Sequence, residues 1–313
     1  MNLFYFSQKI VDFIRLSLFV LAIVIISGGK ISPYSHLLAD VEKGRYVFTL
    51  AGCQSCHTAG SSSPIGAGGV EIKTPFGIFY TPNITPHPKQ GIGNWSRDQF
   101  ADAIRYGKNS VVGSFFPSFP YTSYTQMSDE DIISLYGYIM TLPISENRNQ
   151  PHNIDFPFNW RFLSNFWRFM FFQPGPYKYD PLKTEEWNRG AYVVRAIGHC
   201  AECHSPRKLF GNIEKGQELS GNPKDYEGSL VPNITPDEKT GLGKWQESDI
   251  IALLKFGNLP DGDVVGGKMM EFVINSSSKL SNHDLQAIAC LLYTSCFISY
   301  RFIVNPCNSC KIV

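Results

Sequence analysis

The chain has 313 residues, 43% hydrophobic and 18% charged, which is enough apolar material for two compact domains and excludes a disordered chain. Lys and Arg number 28 against 27 Asp and Glu. That near-neutral balance lacks the basic footprint of a nucleic-acid-binding protein, so no nucleic-acid partner is expected.

Residues 1–39 open the chain. Lys9 and Arg15 precede an uninterrupted apolar run from Leu18 to Ile26, followed by Ser27, Gly28 and Gly29. A basic lead, a short apolar core and small residues read as an export signal. The run alone is shorter than the ~20 residues of a spanning helix, although the lead from Phe4 lengthens it, and Ser27 and Gly29 form an imperfect cleavage site. The segment is expected to be a signal peptide or an uncleaved N-terminal membrane anchor. Either places the bulk of the chain in the periplasm, associated with the cytoplasmic membrane.

From Asp40 to Gly52, the apolar residues Val41, Val47, Phe48 and Leu50 follow a helical pattern behind an N-cap candidate, Asp40. This helix leads into Cys53-Gln54-Ser55-Cys56-His57. A second such stretch, Cys200-Ala201-Glu202-Cys203-His204, lies behind a predicted helix from Glu185 to His199. In C-x-x-C-H the two cysteines reach the vinyl groups of a haem as thioethers, and the adjacent histidine ligates the iron from one face. A redox-active cysteine pair or half a zinc site shares the spacing, but no matching Cys/His pair lies nearby to complete a tetrahedral site. Two motifs inside one repeat select haem. Two covalently bound haem c groups are expected, attached through Cys53, Cys56, Cys200 and Cys203, with His57 and His204 as axial ligands.

The repeat extends well beyond the motifs. Each preceding helix carries a glycine and then an aromatic residue, Gly44 with Tyr46 and Gly190 with Tyr192. A helical glycine costs ~1 kcal/mol against alanine, so the pair predicts close approach of another helix. Thr81-Pro82-Asn83-Ile84-Thr85-Pro86 matches Val231-Pro232-Asn233-Ile234-Thr235-Pro236, and Gly91-Ile92-Gly93-Asn94-Trp95 matches Gly241-Leu242-Gly243-Lys244-Trp245. Short helices follow over Ser96 to Tyr106 and Gln246 to Phe256. Terminal helices are announced by Ser128-x-x-Asp131 and Ser281-x-x-Asp284, both capping patterns before an apolar run. The expected fold is all-α: two tandem class I cytochrome c-like domains, residues 40–143 and 185–294, each with its first and last helices crossed.

Between them, residues 144–184 form an aromatic-rich linker containing Phe156, Phe158, Trp160, Phe162, Phe166, Trp167, Phe169, Met170, Phe171 and Phe172. These residues suit a docking or membrane-surface segment, but packing into the groove between the domains is the favoured expectation. Residues 295–313 have no counterpart in the first domain and read as an atypical tail. There Cys307-x-x-Cys310 is followed by Lys311 and is not a third haem site.

An electron-carrying haem usually keeps a second axial ligand, typically a methionine sulfur. In the second domain Met269 is chosen over Met270. The position matching Met269 in the first domain is Phe119, in Phe116-Pro117-Ser118-Phe119-Pro120-Tyr121, which has no donor. The first haem then takes Met127, takes Met140, or stays open beside Phe119; Met127 is the leading choice. Asn83, Asn233, Trp95 and Trp245 are candidates equally for haem-edge contacts and for turn formation. His36, His87, His152, His199 and His283 read as solvated loop residues. No constellation of acid, base and nucleophile suggests organic catalysis, and no catalytic residue is expected.

Together the two C-x-x-C-H sites, both P-N-I-T-P loops, the F-P-S-F-P-Y stretch and W-N-R-G before the second site resemble the cytochrome c subunits of membrane-bound alcohol, aldehyde and sugar-acid dehydrogenases, over about residues 40 to 290. The resemblance implies an electron-transfer subunit in a respiratory chain that takes electrons from a periplasmic dehydrogenase and delivers them to quinone or a terminal oxidase at the inner membrane. It differs from the alcohol dehydrogenase subunits in having two haem motifs rather than three and Phe119 where they carry methionine. A dihaem oxidoreductase or a gas sensor acting at an open first haem is the alternative.

Overall fold

The computed structural model describes residues 32–110, 113–225 and 228–294. The apolar run 18–26 and the tail 295–313 lie outside the described residues. Among the described residues, 32–36 fall in a unit separate from the one that begins at Leu37. Its helices are α1 (Val41–Leu50), α2 (Cys53–His57), α3 (Arg97–Tyr106), α4 (Tyr121–Tyr124), α5 (Asp129–Ile139) and α6 (Arg161–Phe171). The second half adds α7 (Glu185–Tyr192), α8 (Ala201–His204), α9 (Glu247–Phe256), α10 (Gly267–Asn275) and α11 (Asn282–Thr294). Among the described residues no helix is long and apolar enough to cross a membrane.

Two helix pairs form the core. Asp40 caps α1 by accepting from the Lys43 N–H at 2.9 Å, and the helix packs on α5. A Cβ on Gly44 would stand 2.0 Å from the Ser134 carbonyl oxygen, so only glycine lets the two backbones meet. The second half repeats this contact between α7 and α11, where a Cβ on Gly190 would stand 1.9 Å from the Ala287 carbonyl oxygen. Val47, Phe48 and Leu50 are buried with Ile132, Leu135 and Ile139; Ala191, Val194 and Ile197 are buried with Leu285, Ile288 and Leu291. Each large apolar side chain so buried contributes ~1.5–3 kcal/mol. Ser128 and Ser281 cap the terminal helices by accepting from the N–H groups of Asp131 and Asp284.

The structure departs from the expected all-α architecture in its loops. The fold is mostly helical, with β1 (Glu71–Thr74), β2 (Gly77–Tyr80) and β5 (Asn153–Ile154) in an antiparallel sheet of order β1-β2-β5, and β3 (Lys108–Asn109) paired with β4 (Gly113–Ser114). Pro75 breaks the chain, and Thr74 Oγ1 closes the turn by donating to the Gly77 carbonyl at 2.9 Å. Gly77 sits at φ +119°, and a Cβ there would lie 2.4 Å from the Asn153 carbonyl oxygen, where β5 pairs. The helix expected from Glu185 to His199 also divides. After Tyr192 it widens into a π turn over Val193–Ile197, and His199 adopts φ +40° to redirect the chain into α8.

The aromatic segment packs along one side: Trp167 and Phe171 meet Phe210 of the second half. Phe158 meets Phe76 with ring centroids 4.8 Å apart and Phe172 meets Tyr121 at 5.0 Å, whereas Phe156, Trp160, Phe162, Phe166 and Phe169 are exposed. The expected packing between the halves holds for part of the segment, since Phe172 meets Tyr121 of the first half while Trp167 and Phe171 meet Phe210 of the second.

Candidate haem-attachment sites

Each motif lies on a single helical turn, and the four cysteines Cys53, Cys56, Cys200 and Cys203 are free thiols. Desolvation pushes Cys53 and Cys200 up to about 12, so both stay protonated. The histidines are clamped identically. His57 Nδ1–H donates to the Pro82 carbonyl at 2.8 Å and His204 Nδ1–H to the Pro232 carbonyl at 2.8 Å. A carbonyl only accepts, so each ring carries its proton on Nδ1 and offers the Nε2 lone pair. Burial lowers both imidazole pKa values and keeps the rings neutral, as an iron ligand must be. The histidine main chain is held as well: Gly68 N–H donates to His57 O, and Gly221 N–H to His204 O, each at 2.8 Å. Two thiols plus one oriented neutral imidazole, present twice, fit a covalently held haem.

The P-N-I-T-P loops serve this clamp. Asn83 Oδ1 accepts from Thr85 N–H and Thr85 Oγ1, and its amide donates to the carbonyls of Ser145 and Asn147. Asn233 Oδ1 accepts from the same two groups of Thr235, and its amide donates to Thr240 Oγ1. Both asparagines form the turn hydrogen bonds expected of the turn-forming role. Trp95 and Trp245 are half-buried, and the Trp95 carbonyl accepts from the Tyr136 hydroxyl. The roles of Pro82, Pro232, Gly68 and Gly221 were not read from the sequence; the repeated P-N-I-T-P loop was a usable signal for the two prolines, whereas the glycines follow their motifs at different separations, 11 and 17 residues.

The structure brings the two motifs together. The Ala51 carbonyl, two residues before Cys53, accepts from the Tyr124 hydroxyl at 3.0 Å and from His199 Nε2 at 3.3 Å, and the Tyr124 and His199 rings lie 5.4 Å apart. Asn275, ending α10, donates to Ser55 Oγ inside the first motif at 3.2 Å. Thr122 and Ser123, on α4, donate to Glu202 Oε1 inside the second motif at 3.0 and 3.3 Å. Each half thus touches the residue between the paired cysteines of the other. Burial raises the Glu202 carboxyl, but the Arg207 guanidinium at 2.6 Å outweighs it and holds the pKa below its usual value.

Two histidines expected in solvent are structural. His87 is buried, donates from Nε2 to Glu146 at 2.9 Å, and accepts at Nδ1 from the Lys89 and Gln90 N–H groups. His199 joins the motifs as described. His152 is exposed but accepts from Tyr80 N–H, while His36 and His283 are exposed.

Met127 is fully buried directly before the cap Ser128, where the second half has the buried Leu280 before Ser281. Arg105 fixes its backbone by donating to the Met127 and Thr125 carbonyls. Met140 is half-buried at the end of α5. Phe119 stacks among Phe115, Tyr121 and Tyr124. Met269 and Met270 occupy the first turn of α10, half-buried, with the Met270 methyl against Gly257.

A helical protein that presents thiol pairs beside carbonyl-oriented histidines is built to hold haem c through covalent links. Residues 41–143 match the family model described as Cytochrome c, and the chain belongs to the cytochrome c family. It is 36% identical over 287 residues to a protein named "Diheme cytochrome c-type" from Cereibacter sphaeroides, covering 87% of this chain and 95% of that one. It is 34% identical to the fructose dehydrogenase cytochrome subunit of Gluconobacter japonicus, over 83% of this chain and 54% of that one. With the gluconate 2-dehydrogenase cytochrome c subunit of Pantoea cypripedii the identity is 35%, over 80% and 58% respectively. The chain therefore spans little more than half the length of these dehydrogenase subunits.

Proposed function

We propose that the chain is an electron-transfer subunit built from two tandem class I cytochrome c-like domains, residues 40–143 and 185–294 joined by 144–184, and that it carries two haem c groups. Haem c supplies one-electron chemistry when bound. Cys53, Cys56, Cys200 and Cys203 hold it covalently, His57 and His204 ligate the iron, and Met269 completes the second site. Electrons enter from a periplasmic dehydrogenase, consistent with the names of the relatives, and leave to quinone or a terminal oxidase at the cytoplasmic membrane.

The observation that carries this reading is the repeated imidazole clamp in two motifs that lock into one another through Ala51, Ser55 and Glu202. Haems held at these motifs would supply one-electron transfer, and the contacts through Ala51, Ser55 and Glu202 would keep their attachment residues in one fixed arrangement. The test is a pyridine haemochrome assay with intact mass on the parent and on Cys200→Ser/Cys203→Ser. Two haems in the parent and one in the variant, each titrating as a one-electron couple, support the relay. One haem in the parent rules it out.

The placement of Met127 where the second half has Leu280 favours a second reading, in which His57 alone holds the first iron. Tyr121, whose buried hydroxyl has no partner among the described residues, then supplies a spare donor beside Phe119. Such a site suits a dihaem oxidoreductase or a gas sensor. Carbon monoxide binding to one haem of the reduced parent, with turnover of peroxide, would move this reading ahead of the relay.

A further inference from the structure

Helix α6 is amphipathic, and its polar stripe is tied to the loop at Ser114: Arg161, itself exposed, donates to the Ser114 carbonyl at 2.7 Å and stacks over Phe116 at 5.2 Å, and Ser164 is buried. Asn165 accepts from Ser114 Oγ, and Arg168 donates to that same oxygen at 3.1 Å while lying over the Tyr121 and Phe172 rings. The outward stripe, spaced i, i+4, i+7 and i+8, is Phe162, Phe166, Phe169 and Met170, with Phe162 and Phe166 each 60% exposed and Phe169 85%. A helix resting on a protein core in water puts its charges outside. Here both guanidiniums are held at Ser114, and the rings of the opposite stripe remain on the surface.

A second element, distant in sequence, extends the same surface. The segment 207–211 after the second motif forms a tight turn, closed by Gly211 N–H donating to the Lys208 carbonyl at 2.8 Å, with Leu209 and Phe210 at its tip. Leu209 is 85% exposed. Trp167 Nε1 donates to the Phe210 carbonyl at 2.8 Å, and Phe171 stacks on Phe210, so the tip and α6 form one continuous patch.

We propose that this patch is where the protein lies on a phospholipid bilayer, with α6 in the interfacial plane and Leu209 and Phe210 inserted beside it. The chemistry of the occupant follows from what the patch lacks. A protein partner brings roughly one hydrogen bond per 100–200 Å², yet Phe162, Phe166, Phe169, Met170, Leu209 and Phe210 offer no side-chain donor or acceptor. Hydrocarbon asks for none, and aromatic rings concentrate at the boundary between lipid tails and headgroups. Lys208 stands half-exposed at the tip, beside Leu209, in a loose, solvent-exposed pair with Glu214 at 3.6 Å, a contact weak enough for anionic headgroups to compete with. At eleven residues α6 is too short to span, so it lies on the bilayer.

The patch is wired to the second motif. Arg207, at the base of the turn, donates to the Gly211 carbonyl and to both the carbonyl and the carboxylate of Glu202, between Cys200 and Cys203. The second haem is therefore the one that exchanges electrons with a lipid-dissolved carrier of the quinone class. This last assignment rests on the relay reading, whereas the bilayer surface does not.

The test is amide hydrogen exchange on the full-length holoprotein, with and without phosphatidylethanolamine/phosphatidylglycerol vesicles, read locally so that any hold by residues 1–39 does not enter. Exchange over 160–172 and 207–211 is expected to slow by at least ~10-fold on vesicles, while α3 is unchanged. Phe162→Ser/Phe166→Ser/Phe169→Ser should lose that protection and keep its haem absorbance and both midpoint potentials. Unchanged exchange on vesicles overturns the proposal. So does protection already present without vesicles together with a dimer, by sedimentation velocity, that the triple variant breaks, since a second copy would then be the cover. Reoxidation of the reduced protein by a quinone dissolved in the vesicles should fall in the triple variant. Protection without any quinone reoxidation leaves the bilayer surface standing and removes quinone as the acceptor.

Discussion

The phenol of Tyr46, on the helix leading to the first motif, donates at 2.6 Å to the carboxylate of Asp284, on the terminal helix of the second half. Its counterpart Tyr192 donates in the reverse direction to Asp131, on the terminal helix of the first. Lys43 pairs with Asp131 at 2.7 Å and Arg189 with Asp284 at 2.7 Å, so each aspartate holds a cation of its own half and a phenol of the other. Both aspartates stand at the third position of a capping pattern, where the side chain ordinarily turns back to the cap. Here the carboxylates bridge the halves, and Asp131 lines a cavity of about 250 Å³ together with Lys43, Tyr46, Arg189 and Tyr192.

This bridge responds to acid. Burial acts to raise the Asp284 carboxyl, and hydrogen bonds from Arg189 and Tyr46 outweigh it, so the folded pKa is depressed. Stability from a depressed carboxyl is present above its unfolded pKa, ~3.9, and is lost as pH falls through the folded value. Asp284→Asn is expected to cost about 2 kcal/mol at neutral pH, less than for a fully buried pair because Arg189 is a third exposed. Denaturant titrations of the holoprotein at pH 7 and pH 3 check this. A deficit of the same size at both would remove the ion pair as its cause.

Gly190→Ala places a methyl group 1.9 Å from the Ala287 carbonyl oxygen and forces α7 off α11. A loss of about 2–3 kcal/mol is expected despite the better helix propensity of alanine. Gly44→Ala should behave alike against Ser134. Thermal melting measures both, and a stabilised variant would contradict the close approach.

The methionines are separable by conservative substitution. Met127→Leu reproduces the Leu280 of the other half; with Met127 as the first haem's ligand it should open that haem to carbon monoxide and lower its potential, whereas on the second reading it leaves carbon monoxide binding and both potentials unchanged. Met269→Leu should open the second haem to carbon monoxide and lower its potential, because a thioether raises the potential of a haem it ligates. An unchanged second haem would assign Met269 to packing.

Arg207→Met strands the Glu202 carboxylate in a buried site with only Thr122 and Ser123 to solvate it. Removing one partner of such a pair costs about 3 kcal/mol or more. The double variant Glu202→Gln/Arg207→Met should recover much of that loss. A double-mutant cycle by chemical denaturation supplies the coupling energy, and a value near zero would mean the pair is independent of fold stability.

Much of the haem chemistry was legible from residue spacing. C-x-x-C-H, the glycines at Gly44 and Gly190, and the serine caps act over a few residues or one helix face, where backbone geometry alone decides what meets what. The imidazole clamps at Pro82 and Pro232 left a weaker trace, because a carbonyl acceptor has no side-chain signature. The sheet around Gly77 was missed for a related reason: β5 is two residues long and pairs across more than seventy positions, so no local periodicity reports it.

The sequence by itself determined the two haem motifs, the helix pairs that frame them and the family, since each depends on identities at fixed short separations. Only the tertiary structure decided that Asp131 and Asp284 bind the opposite tyrosines, that Glu202 and Ser55 are touched from the other half, and that the α6 arginines bind Ser114. Those outcomes depend on which surfaces the repeat buries against itself. A hydrophobic pattern marks a stripe as apolar without saying whether protein or something else will cover it.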